Sequence, residues 1–249
     1  MQYGVGHLNI VPVRLENSDK SEMVTQLLFG DHFKIIDKRK NWVKIRIAFD
    51  QYEGWIDHQQ YIEITEENYK QLDQQKNVLV GDLVEFLHDQ NHQLQLVSIG
   101  ANLKALSLLP FQYDGKKMEE KLPKSELVKT ALLYLNSPYL WGGKTPFGID
   151  CSGFTQMVYK ICGYALKRDA SQQATQGEAL SFIEESEPGD LAFFDNAEGN
   201  IIHVGIIMEN NYIIHAHGKV RVDRIDHSGI FNVDTSRYSH NLRVIKKIV

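Results

Sequence analysis

The stretch "IDCSGFTQMVYKICG", Ile149 to Gly163, sets one of only two cysteines directly after an aspartate, where a helical pattern begins. Phe154, Val158 and Ile161 recur there at helical spacing, with Met157 alongside and Gly163 as a stop signal. A cysteine in the first turn of a helix meets unpaired backbone N–H groups and the positive end of the helix dipole. Cys151 is therefore expected to have a lowered pKa and to act as a nucleophile if a base lies within hydrogen-bond reach. Cys162 would sit roughly 16 Å away along the same helix, at about 1.5 Å per residue, so both thiols are expected to be free. Between Ile161 and Gly163, Cys162 reads as a small buried hydrophobe.

The bases come from "IIHVGIIMENNYIIHAHG", which holds three of the ten histidines: His203, His215 and His217. Two apolar runs flanking "ENN" predict a β-hairpin, because Asn tolerates the left-handed conformation that tight turns need. A two-residue loop would put His203 and His215 on opposite faces of the hairpin. A three-residue loop, Glu209 to Asn211, pairs Gly205 with His215 and His203 with His217, so that all three histidines share one face. The odd-length loop is expected, with Asn211 left-handed. The assembled constellation is a Cys–His–polar triad in which Cys151 attacks a carbonyl carbon and His203 carries the proton. His215 or His217 would fix the tautomer of His203, and periodicity leaves that choice open. A rival is metal binding, since His-x-His on one strand, with His203 or Cys151, is also a zinc-ligand spacing. The chain has neither HExxH nor a paired-cysteine motif, so no metal and no cofactor are expected.

The elements that must position these residues fall into three parts. "NWVKIRI", Asn41 to Ile47, alternates with Val43, Ile45 and Ile47 on one face, the period-two signature of a half-buried strand. Similar short segments on either side predict a small β-barrel over residues 1–62. "EENYKQLDQQKN" reads as a helical or loop linker carrying Tyr69 and Leu72. It opens a second β-rich unit, 63–124, in which "LVGDLVEFL", "QLQLVSIG" and "ALSLLPFQYDG" read as strands. From Pro123 the texture becomes helical, with Ser125 as N-cap and Leu127, Val128, Ala131, Leu132 and Leu135 at helical spacing, so residues 125–249 are expected to form a third domain. The hairpin is followed there by a further strand, "RVDRID".

Composition narrows the partners. With 43% hydrophobic and 24% charged residues the chain is expected to be globular, and a net charge of −5 offers no basic footprint for nucleic acid or an anionic membrane. No apolar run reaches transmembrane length, and the opening "MQYGVGHLNIVPVR" lacks the design of a signal peptide, so a cytoplasmic location is expected.

The last half of the chain resembles the NlpC-type cell-wall peptidases, a papain-like cysteine peptidase family. The matching runs are "SPYLWGGKTPFGIDCSGFTQMVY", "RDASQQA", "PGDLAFF", "HVGIIM" and "YIIHA", in order and at the family's spacing. The resemblance implies an α+β papain-like domain behind two small bacterial SH3-like barrels. It makes Cys151 the nucleophile, His203 the base, His215 the third member and His217 a bystander, with the Tyr139 hydroxyl as an oxyanion-side donor. Barrels ahead of such a domain resemble the subgroup that cleaves the γ-D-glutamyl–L-diamino acid bond of murein peptides bearing a free N-terminal L-Ala. The substrate ammonium would there meet acidic and polar residues, which here are Asp150, Ser152, Asp169 and Ser171. One departure is that Ala170 follows Asp169 where the family pattern has Ser, so that Ser171 stands one position late. Asp150 reads equally as a helix N-cap, and Arg168 with Asp169 as a surface pair. Another amidase or acyltransferase reaction would suit the same triad. An inert wall-binding module should have lost a triad member, and none is missing.

Overall fold

The computed structural model describes residues 2–249. It divides into two compact units, the first running to Glu120 and including Trp141–Pro146, the second made of Lys121–Leu140 and Phe147–Val249.

In the first unit, β1 (Gln2–Val5), β2 (Ile10–Arg14), β3 (Met23–Leu28), β4 (His32–Arg39), β5 (Trp42–Ile47), β6 (Glu53–Asp57) and β7 (Ile62–Ile64) form one antiparallel sheet. Its order is β3-β2-β6-β5-β4-β1-β7. Alternation along β5 buries Val43, Ile45 and Ile47 as expected, and they join Val11, Val13, Leu27, Phe33, Ile35 and Ile56 in a core. The linker is a helix, α1 (Glu66–Gln74), capped by the Thr65 side chain on Asn68 N–H, and it buries Tyr69 and Leu72. The segment read as a second barrel forms no continuous ladder. Four short strands, β8 (Leu79–Val80), β9 (Val84–His88), β10 (Leu94–Ser98) and β11 (Lys117–Met118), pair two by two as β8–β11 and β9–β10. Where "ALSLLPFQYDG" was expected to add a strand, the chain starts a 3-10 turn at Leu103–Ser107, because the Asn102 side chain accepts a hydrogen bond from Lys104 N–H at 3.1 Å. Residue 62/63 is not a boundary between compact units. A last strand, β12 (Lys144–Thr145), lies in Trp141–Pro146, where Lys144 N–H donates to the Gln26 side chain at 2.8 Å.

The second unit starts at Lys121, four residues before the expected boundary. Its elements are α2 (Glu126–Leu132), β13 (Gly148–Ile149), α3 (Cys151–Ile161), α4 (Ala170–Gln173), β14 (Glu178–Leu180), β15 (Leu191–Asp195), β16 (Ile201–Met208), β17 (Tyr212–His217), β18 (Lys219–Asp226), β19 (Gly229–Asn232) and β20 (Arg237–Lys247). Strands run β14-β20-β15-β16-β17-β18-β19, and β19 pairs back onto β20, so the sheet closes. Ala192, Phe194, Ile207, Ile213, Ile225, Ile230 and Ile245 pack together as a core. Helix α3 lies against β16, β17 and α2, and every one of its residues is buried. Helix α2 is shorter than its periodicity implied. Ser125 makes no side-chain capping bond, and Leu132 and Leu135 are 41% and 44% exposed. The helix ends because Asn136, at φ 68°, turns the chain and donates its N–H to Val220 at 2.9 Å.

Candidate active site

The nucleophile candidate is placed by local chemistry. Asp150, extended at φ −92°, caps α3 by accepting the Gly153 N–H at 2.6 Å, which makes Cys151 the first helical residue. Just upstream, Ile149 N–H donates to Pro138 at 3.0 Å and Leu140 N–H to Ile149 at 3.2 Å. A parallel bridge thus holds Tyr139 beside Ile149, close to the helix start. The backbone N–H groups of Val204, the residue after His203, and of Ser152 lie near enough to the Cys151 sulfur to favour its thiolate. Cys151 keeps 7% of its surface exposed. Cys162 is wholly buried against the Thr130 hydroxyl at 3.3 Å, and both thiols are free, as expected.

The hairpin register is the odd-length one. Gly205 opposes His215, with Glu209–Asn211 as the loop. Asn211 is left-handed at φ 61°, and so is Asn210 at φ 58°. His203 Nε2 lies 2.8 Å from His215 Nδ1, and His215 Nε2 lies 3.0 Å from an Asp223 carboxylate oxygen. His215, not His217, is the ring bonded to His203, and His217 is exposed. A carboxylate only accepts, so His215 must carry its proton on Nε2 and leave Nδ1 as an acceptor. His203 then donates through Nε2, and its Nδ1 carries a bare lone pair.

The electrostatics run against one expectation. Burial pushes the Cys151 thiol up to about 12, with the neighbouring Asp150 charge in the same direction, while the Val204 and Ser152 N–H groups and Arg168 oppose it more weakly. The apolar surroundings and the capping carboxylate thus favour the thiol over the thiolate that the helix start was expected to stabilise. Burial, then the adjacent rings of His215, His240 and His217, hold His203 well below the usual histidine value. Both shifts favour the neutral forms, thiol and imidazole. Burial, then the charge Cys151 takes on when ionised and the Asp150 carboxylate, raise the Tyr139 hydroxyl, so it stays protonated and able to donate.

Arg168 is only 1% exposed, which overturns the surface-pair assignment. Its guanidinium grips both Asp150 oxygens, at 3.1 and 2.6 Å, and the Ser152 hydroxyl at 2.9 Å. Asp150 is thus both N-cap and half of a buried bidentate ion pair. Asp169 is half-buried at the start of α4 and Ser171 is exposed. Helix α4 is pinned to α3 by Gln173, which takes the Thr155 hydroxyl proton at 2.7 Å and donates to Ser152 C=O at 2.9 Å.

Three residues of the site carry no motif in the sequence reading, Asp223, Arg221 and His240, and the burial of Arg168 is not foreseen by it. A signal for two of them exists. A one-residue turn at Gly218 pairs His217 with Lys219 and His215 with Arg221, which places Arg221 and Asp223 on the face shared by His215. His240, stacked on His203 at 4.1 Å and 20°, arrives on β20 and has no local signal. Among the described residues, no group of three or more His, Cys, Asp or Glu side chains is arranged to hold a metal ion.

Residues 136–237 match the NlpC/P60 family, and residues 13–60 match the bacterial dipeptidyl-peptidase Sh3 domain. The second unit is an NlpC/P60 domain of the papain-like cysteine peptidase class, a hydrolase fold built around a cysteine. The chain carries that domain behind a bacterial dipeptidyl-peptidase Sh3 domain. The γ-D-glutamyl-L-lysine dipeptidyl-peptidase of Bacillus subtilis is 27% identical over 77% of this chain and 71% of its own length. The Bacillus cereus protein of the same name is 29% identical over 81% and 69%. A probable endopeptidase p60 of Listeria welshimeri is 40% identical, over 41% of this chain and 20% of its own. The crystal structure of an NlpC/P60 family protein from Bacillus cereus shares the fold, with a TM-score of 0.78 at 20% identity over 99% of both chains.

Proposed function

We propose that the protein hydrolyses the γ-D-glutamyl–L-diamino acid bond of short murein peptides bearing a free N-terminal L-Ala, with Cys151, His203 and His215 as its triad. One observation carries the mechanism: the hydrogen-bonded line His203–His215–Asp223 leaves His203 Nδ1 bare, on the strand whose next backbone N–H favours the Cys151 thiolate. The substrate class is supported by the two relatives named for γ-D-glutamyl-L-lysine dipeptidyl-peptidase activity.

The sulfur attacks the γ-carbonyl carbon of D-Glu as its proton passes to His203 Nδ1, and the carbonyl oxygen becomes an oxyanion. The Cys151 N–H and the Tyr139 hydroxyl receive that charge. Collapse breaks the C–N bond, His203 returns the proton to the departing amine of the diamino acid, and a thioester remains. Water then gives a proton to His203 and adds to the thioester carbon. The thiolate leaves, recovers its proton, and frees L-Ala-γ-D-Glu. Because burial favours the neutral thiol and imidazole, proton transfer accompanies attack. At the other end of the peptide, the L-Ala ammonium meets Asp150 and Asp169, with Ser152 and Ser171 as polar contacts.

Mass spectrometry of products from L-Ala-γ-D-Glu-L-Lys, its diaminopimelate counterpart and their N-acetylated forms tests this. Free-amine peptides should yield L-Ala-γ-D-Glu and the diamino acid, and acetylated ones should persist. Cys151→Ser and His203→Ala should each abolish turnover, and His217→Ala should change it less than a few-fold. Intact free-amine peptides after prolonged incubation with folded protein would refute the assignment.

A further inference from the structure

We propose that Asp223, held by Arg221, is a positioning residue that sets the tautomer of His215 and thereby aims the lone pair of His203 at Cys151. The proposal rests on the triad assigned above and extends it to a residue that touches neither substrate nor sulfur.

Asp223 lies on β18 and is wholly buried. One carboxylate oxygen accepts from His215 Nε2 at 3.0 Å and from Arg221 Nε at 2.6 Å; the other accepts from Arg221 Nη2 at 2.9 Å and from Val233 N–H at 3.0 Å. Arg221 is itself tied to Asp234 at 2.8 Å. Arg221 and the Val233 N–H can only donate, and the bidentate guanidinium calls for the ionised acid, so His215 Nε2 has to donate to it as well.

The consequence propagates through two rings. A neutral imidazole has a single N–H, and Asp223 claims the one on His215 Nε2. Were that proton on His215 Nδ1, His203 Nε2 would have to accept across the 2.8 Å contact, and the His203 proton would move to the nitrogen needed as base. Among the described residues, the other side chain bonded to His215 is the His203 ring. When His203 becomes an imidazolium during turnover, the same carboxylate lies two hydrogen bonds away and lowers the cost of that charge. The competing role for Asp223 is architectural: neutralising Arg221 and tying the Val233 turn to β18.

The decisive measurements need no substrate. Imidazole ¹⁵N shifts of the wild-type protein should show both His203 and His215 protonated at Nε2 and bare at Nδ1; a His215 protonated at Nδ1 overturns the proposal outright. Mass-localised alkylation of Cys151 by iodoacetamide should slow on the order of 10–100-fold in Asp223→Asn, the range expected when a partner orienting an active imidazole is lost. In a His215→Ala background the same substitution should add less than about 3-fold, because the route from Asp223 to His203 is already cut. An equal loss in both backgrounds, or an unchanged rate in folded Asp223→Asn, would leave Asp223 an architectural residue only. If the murein peptides were not cleaved while these shifts and rates came out as expected, the substrate assignment would fail and the positioning role would stand.

Discussion

Arg168 is the largest of the fully buried side chains, and it has one job that its surroundings make obligatory. The Asp150 carboxylate must be present to cap α3, and out of water it needs a cation. Arg168 supplies that cation through two hydrogen bonds and adds a third to Ser152, which fixes the two residues flanking the nucleophile. Removing one partner of a buried pair leaves an uncompensated charge. Arg168→Met should therefore cost about 3–5 kcal/mol in denaturant unfolding. Arg168→Lys should recover only part of that, since an ammonium cannot reproduce the bidentate grip. A loss below about 1 kcal/mol in Arg168→Met would mean that Asp150 is solvated in the native state.

At the scale of elements, the β16–β17 hairpin and the start of α3 do the assembling. The three-residue loop gives the parity that puts His203 and His215 on one face, and Gly205 makes room for them. A β-carbon at Gly205 would come within 2.9 Å of the His215 Cβ and 2.7 Å of Ile213 Cδ1. Gly205→Ala should consequently push His215 off its bond to His203. Peptide turnover should drop at least about 10-fold, while the unfolding free energy changes by about 1–3 kcal/mol, the cost of forcing bulk into a packed site. Kinetics and unfolding of that one variant together check the point, and unchanged turnover would show that the ring pair tolerates displacement. Helix α2 shows the opposite case. Its leucine pattern continues to Leu135, yet the helix stops early because Asn136 can take the left-handed backbone that joins it to Val220.

Across the whole molecule, pH couples activity to stability through the buried rings. Burial and neighbouring imidazoles lower His203, burial lowers His215 despite its Asp223 partner, and burial with the adjacent His215 and His217 brings His240 down to about 4. Since His203 stays unprotonated below the usual histidine value, the acid limb of kcat/KM should fall below about pH 6.5. In the unfolded chain these rings take up protons below about pH 6.5, whereas the folded rings remain neutral. The unfolded state then binds more protons, so stability is complete above about pH 6.5 and declines as pH drops toward the folded values. Thermal unfolding between pH 7 and 4 should show that decline, and His240→Phe should make it shallower; an unaltered slope would mean that this ring titrates normally. Much of the site is legible in the sequence because its signals are local: a capped helix start marks Cys151, period-two alternation and loop length align His203 with His215, and a one-residue turn at Gly218 sets Asp223 on the face of His215. The sequence by itself determined these short-range facts, since caps, turns and strand parity act over a few residues. Only the tertiary structure decided that His240 stacks on His203, that Arg168 is buried on Asp150, that 63–124 forms paired strands without a continuous ladder, and that burial favours the Cys151 thiol over the thiolate. Those outcomes depend on strand pairings between distant segments and on how far packing removes a charge from water, which no local pattern encodes.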